Sequence, residues 1–167
     1  MAPALLFLST IQVHANEQAP NDNSGFLIGG GVFSAANSDC SVCDYSGQFI
    51  EAGYDFNHIV GVELKYASGD NDQADLDINY AGANIGHDFN TGWFRLYGKV
   101  GYASIKEQLV GYYPGEFSSS GLTFGVGTRF SLSGQASGLY LKLETMAVAF
   151  ENDSAGVAVI AGVGYRF

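Results

Sequence analysis

Residues 122–132 read Leu122-Thr123-Phe124-Gly125-Val126-Gly127-Thr128-Arg129-Phe130-Ser131-Leu132. The even positions are apolar apart from Thr128, and the odd positions carry only Thr, Gly, Arg and Ser. A repeat of two is the signature of a β-strand, because successive side chains leave an extended backbone on opposite faces. One face of this strand is made for an apolar neighbour. The other is small or charged.

The same split recurs along the chain. Phe94, Leu96, Val100 and Tyr102 oppose Arg95, Tyr97, Lys99 and Gly101; Val60, Val62, Leu64 and Tyr66 oppose Gly61, Glu63 and Lys65. Leu139, Leu141 and Leu143 oppose Lys142 and Glu144; Val157, Val159, Ala161, Val163, Tyr165 and Phe167 oppose Gly156, Gly162, Gly164 and Arg166. Eight strands are predicted, at roughly 24–34, 48–56, 59–68, 75–89, 93–106, 120–132, 138–150 and 155–167. In the fourth, Ile78 and Tyr80 are even but Ile85 and Phe89 are odd, so a bulge near Gly82 is expected to restore a single apolar face.

Connections alternate between short and long. Asn57-His58, Asn90-Thr91-Gly92 and Ser133 to Ser137 have turn chemistry. Ala35 to Gly47, Gly69 to Ala74, Glu107 to Ser119 and Glu151 to Ser154 are mostly longer and more polar. Membrane barrels combine short periplasmic turns with longer external loops, which places both termini on the periplasmic side.

Composition narrows the class. The chain has 167 residues, 23 of them Gly, with 12 Phe, 10 Tyr and 1 Trp. A net charge of −10, from 7 Lys and Arg against 17 Asp and Glu, excludes a basic face for nucleic acid. No apolar run reaches the ~18 residues of a spanning helix. A chain of this kind crosses lipid only as a closed barrel, which satisfies every backbone group internally.

The N-terminus reads as export machinery. Ala4-Leu5-Leu6-Phe7-Leu8 opens an apolar core and Val13-His14-Ala15 forms an A-x-A-like cleavage site, although no Lys or Arg follows Met1. Residues 1–15 are assigned to a signal peptide, 16–24 to a polar leader and 25–167 to the barrel domain.

The polar face carries Glu51, Glu63, Lys65, Arg95, Lys99, Arg129, Lys142, Glu144 and Arg166. In a membrane barrel these residues line the lumen as a charge network, since an unpaired charge facing lipid costs about 2–4 kcal/mol at midplane. A soluble barrel would invert the faces. Three features favour lipid outside: glycines cluster on the polar face, aromatics cluster at strand ends, and the chain ends on Phe167. Tyr54, Phe56, Trp93, Phe94, Phe130, Tyr165 and Phe167 suit one interfacial girdle, and Phe33, Tyr66, Tyr80, Tyr102 and Phe150 the other. Asp55 and Asp77 are expected to supply further acid to the lumen.

The closing run Gly162-Val163-Gly164-Tyr165-Arg166-Phe167 resembles the C-terminal signature of outer-membrane proteins, and residues 25–167 resemble the small OmpA/OmpX-like "porin family" barrel domain. The resemblance implies an all-β, eight-stranded antiparallel up-and-down transmembrane β-barrel in the bacterial outer membrane. It implies recognition of Tyr165 and Phe167 by the barrel-assembly machinery, and contact with outer-membrane lipids and lipopolysaccharide. A monomer is expected, with no nucleic-acid partner.

Site chemistry is sparse. Cys40 and Cys43 form a C-x-x-C without a βαβ context, and are expected to join as a loop disulfide in an oxidising compartment. The acidic stretch Gly69 to Asp77 starts like a calcium loop, but has Asp75 where the turn glycine belongs and Ala81 where the bidentate Glu belongs. It reads as a solvated loop, with weak sharing of divalent cations with lipopolysaccharide phosphates as the next reading. Enzymes acting on lipid A would need a histidine at the outer rim. His14 lies in the signal, while His58 and His87 lie toward the periplasmic side, away from Ser118, Ser119 and Ser120. No catalytic residue, metal or cofactor is expected. The preferred function is a structural, envelope-integrity or surface-interaction barrel with a side-chain-plugged lumen. The alternatives are a small-solute porin and a soluble periplasmic lipocalin-like binder.

Overall fold

The computed structural model describes residues 24–37, 44–71, 74–89, 93–109, 115–132, 137–150 and 155–167. Its strands are β1 (Gly25–Asn37), β2 (Asp44–Asp55), β3 (Val60–Asp70), β4 (Ala74–Phe89), β5 (Phe94–Leu109), β6 (Gly115–Ser131), β7 (Gly138–Phe150) and β8 (Ala155–Arg166). Each pairs antiparallel with the next, and β8 closes on β1 to give an up-and-down barrel. The period-two face forms the outside: Leu122, Phe124 and Val126 on β6 and Leu139, Leu141 and Leu143 on β7 are all exposed. Closure removes both sheet edges, so the ladder groups find partners without water.

At the end that carries the termini, Asn57 Oδ1 accepts hydrogen bonds from the amides of Ile59 and Val60, at 2.7 and 2.8 Å. This is the local bonding that makes Asn a turn residue. The turns at 90–92 and 133–136 lie outside the described residues, as do the assigned signal, the leader up to residue 23, Cys40 and Cys43.

The strands run further at the loop end than the sequence predicts. The expected loop 107–119 is largely ladder, with Glu107 opposite Phe117 and Leu109 opposite Gly115. Two backbones need no apolar side chains to pair, so hydropathy is blind to this extension. All strands but β3, which has 11 residues, span 12–17 residues, beyond the ~9–11 that cross a bilayer, and their outer ends therefore stand above it.

β4 has no bulge at Gly82. Its register runs unbroken from Val60 opposite Ile85 to Asp70 opposite Asp75, and from Ala74 opposite Leu109 to Phe89 opposite Phe94. Ile78 and Tyr80 point into the barrel, while Ile85 and Phe89 point out. The apolar residues change face because the outer half of the lumen is itself apolar. The same fact corrects the outer girdle: Phe33 and Tyr80 are buried inside and Phe150 lines the outer mouth from within, leaving Tyr66 and Tyr102 on the outside. The girdle near the termini holds together through ring contacts such as Phe94–Phe130 at 4.9 Å and Tyr165–Phe167 at 4.8 Å.

Candidate functional site: the barrel lumen and its outer mouth

The lumen is layered. Nearest the termini, Asp55 is fully buried and is met by Arg129 Nη1 at 2.7 Å and Arg166 Nη2 at 3.6 Å. Arg95 lies beside Asp88 at 3.3 Å and donates to Asn84 Oδ1 and to the Ile59 carbonyl, each at 3.1 Å. The Arg129 guanidinium also lies over the Tyr140 ring at 5.2 Å, a placement that its flat, weakly hydrated cation favours.

The middle layer sets three lysines against three glutamates. Lys65 Nζ donates to Glu144 at 2.5 Å, and Lys142 Nζ donates to Glu51 at 2.5 Å and to Glu63 at 3.3 Å. Lys99 bonds Glu144 at 3.0 Å and also bonds Glu63. The Tyr97 hydroxyl donates to Glu144 at 2.8 Å. The layer is electrically balanced, as burial demands of charge. Carboxylate oxygens of Glu51, Glu63 and Glu144 come within 4.8 Å of one another. That spacing alone would suit a metal ion, but lysine ammonium groups supply the positive charge there.

Above these charges lies an apolar layer containing Phe33, Phe49, Leu76, Tyr80, Met146 and Ile160. Lys65 Nζ sits 5.0 Å from the Phe49 ring centre and Lys99 Nζ 4.7 Å from that of Tyr80, joining the two layers. The inward glycines serve mainly these rings. A Cβ at Gly127 would fall 2.7 Å from the Tyr97 ring, one at Gly162 2.7 Å from Phe49, and one at Gly69 2.8 Å from Phe33. Gly125, against Lys99 Cγ at 3.0 Å, makes room for a long charged chain. At the loop end the lumen opens into a cavity of about 630 Å³, and the Tyr45 hydroxyl reaches from β2 to Glu107 on β5 at 2.6 Å.

All nine charged residues singled out from the sequence lie inside the barrel and are buried. Asp55 joins them, but Asp77 does not. It faces outward with Asp75 and accepts a hydrogen bond from Tyr66 at 2.8 Å. At the other end of β4, nearer the termini, Asp88 and Asn84 are the further polar partners, and both meet Arg95. His58 and His87 are exposed at the terminus end, and the His87 ring packs on Phe89 at 4.7 Å. The Phe167 amide donates to the Phe26 carbonyl at 2.9 Å, while its side chain stays 66% exposed.

An apolar exterior, an aromatic girdle and a charged interior define a transmembrane barrel of the bacterial outer membrane. Residues 4–167 match the family described as "Outer membrane protein beta-barrel domain", and the chain belongs to that family. Among curated proteins no sequence relative is found. Solved structures share the fold. Ail, the attachment invasion locus protein of Yersinia pestis, is 20% identical over 89% of this chain and 100% of its own, with a TM-score of 0.62. The N-terminal β-barrel domain of Pseudomonas aeruginosa OprF is 17% identical over 89% and 100%, with a TM-score of 0.66. Neisserial surface protein A is 17% identical over 87% and 97%, with a TM-score of 0.62.

Proposed function

We propose that this protein is a monomeric outer-membrane barrel whose lumen is closed by its own side chains, serving envelope integrity or contact at the cell surface rather than diffusion or catalysis. The observation that carries this reading is the middle layer, where Lys65, Lys99 and Lys142 bond Glu51, Glu63 and Glu144 across the barrel. An eight-stranded barrel has room for little more than its side chains. The charged side chains occupy the middle of the lumen and pair with one another, and the apolar layer above them repels water. Planar-bilayer recording of the purified protein tests this. No porin-sized conductance is expected, and a stable open channel would favour the porin alternative. The soluble-binder alternative falls to the outer-membrane location.

The exposed apolar wall is suited to outer-membrane lipids and lipopolysaccharide, and Tyr165 and Phe167 to recognition by the assembly machinery. A surface role is supported by the fold shared with Ail, one structure of which holds the heparin analogue sucrose octasulfate. The charge of this chain points to a different partner. Among the described residues of the loop end, Asp44, Asp70, Asp75, Asp77, Glu107 and Glu116 stand against Lys106, so a polysulfated sugar would be repelled.

A further inference from the structure

Glu107 is unlike the other carboxylates that point into the barrel. Glu51, Asp55, Glu63, Asp88 and Glu144 each have a lysine or arginine partner within ion-pair distance. Among the described residues Glu107 has none; its hydrogen bond comes from the neutral Tyr45 hydroxyl. It stands between Leu76 and Phe117, its neighbours on the adjoining strands, on the wall of the outer cavity. Partly buried at the open mouth, this carboxylate is accessible to a cation from solution.

The cavity has the build of a small-molecule site. Its volume, about 630 Å³, lies within the ~300–1,000 Å³ range of such sites, which combine apolar walls with a few placed polar groups. Ile78, Ile105, Val148 and Phe150 form apolar wall, with Ser119, opposite Ile105 on the inward face, as a hydroxyl group. The Tyr45 hydroxyl donates to one oxygen of the carboxylate from across the opening. The acidic rim raises the local concentration of cations and lowers that of anions.

We propose that the outer mouth binds a small amphipathic organic cation, an aryl or alkyl amine, with its ammonium on Glu107 and its apolar body against Ile78, Ile105 and Phe150. The inference goes beyond a closed lumen and does not depend on it, because the cavity lies outside the charged layers. Conductance tests one reading and binding the other.

The test uses the full chain in zwitterionic phospholipid nanodiscs, titrated with dansylcadaverine and followed by fluorescence against empty nanodiscs. Saturable binding is expected. A neutral dansylamide and a dansyl amino acid bearing a free carboxylate should bind at least about tenfold more weakly, the scale of a hydrogen bond to a charged group. Glu107→Gln should weaken the amine about tenfold while leaving the neutral probe unchanged, and Ile105→Trp should weaken both by filling the cavity. Heat-modifiability on a gel verifies that each variant is a folded barrel. Binding no greater than to empty nanodiscs, equal binding of amine and carboxylate probes, or an unchanged affinity in folded Glu107→Gln would each overturn the proposal.

Discussion

Lys65 on β3 and Glu144 on β7 stand on opposite walls of the barrel, and their charged ends meet at 2.5 Å. The strands that bear them are not hydrogen-bonded to each other, so this pair and its neighbours tie the walls across the lumen as the ladders tie them around it. Glu144 also receives Lys99, Lys142 and Tyr97. Replacing Glu144 with Ala leaves three buried ammonium groups facing two carboxylates, and should cost about 3–5 kcal/mol. Urea unfolding of the barrel in phospholipid vesicles measures the loss. The double variant Lys65→Met with Glu144→Leu should lose less than Glu144→Ala, because it strands less charge.

Arg129→Ala removes the nearer partner of Asp55 and leaves Arg166 at 3.6 Å. Stability should fall by about 3 kcal/mol or more, the penalty for a fully buried carboxylate that loses its partner. Arg129→Lys should recover only part, because an ammonium lacks the planar fork and the ring contact with Tyr140. Equal unfolding midpoints for wild type and Arg129→Ala would contradict the geometry.

Gly127 and Tyr97 are coupled by space. A methyl group at Gly127 would sit 2.7 Å from the Tyr97 ring, closer than a side chain tolerates. Gly127→Ala should destabilise the barrel by about 1–3 kcal/mol, the usual cost of overpacking. In a Tyr97→Ala background the same substitution should cost much less. A double-mutant cycle with no coupling would show that the glycine serves some other purpose.

Depth should govern the cost of charge on the outer wall. Leu64, 64% exposed on β3, faces the lipid core, whereas Ser68 on the same face lies toward the outer rim. Leu64→Arg should cost about 2–4 kcal/mol and Ser68→Arg about 0–1 kcal/mol. Vesicle unfolding reads both. Equal costs would mean that this face does not lie along the membrane normal.

Deleting Phe167 removes one backbone bond, to Phe26, and an exposed ring. Refolding into detergent should stay nearly normal, while the amount assembled in cells drops. Quantifying the heat-modifiable form in outer-membrane fractions against refolded protein separates the two effects.

Much of this architecture was legible because a strand's period is short and its environment two-sided. Val126 and Arg129 announce opposite faces by chemistry alone, and repetition through eight strands leaves a closed antiparallel sheet as the arrangement that hides its edges in lipid. The buried acids and bases were legible for the same reason: the cost of a charge in lipid pushes Lys65, Lys99 and Glu144 inward wherever the outer face is apolar. Glycine on the charged face marked a crowded interior.

Other features had no local signal. Ile78, Tyr80 and Phe33 are apolar on either reading, and only the ring of strands shows that they fill the outer half of the lumen. Hydropathy reports that a side chain avoids water without telling which of two dry places it takes. The partner of each charge was equally hidden, since Asp55 and Arg129 lie 74 residues apart and are joined by closure and stagger. Period two therefore decided the strands and their two faces, and the placement of glycines, aromatics and Phe167 decided which face meets lipid. The folded barrel decided which charges meet, which glycines cradle which rings, and that Glu107 is left facing an open mouth, because these are distances across a lumen that exists only once β8 has closed on β1.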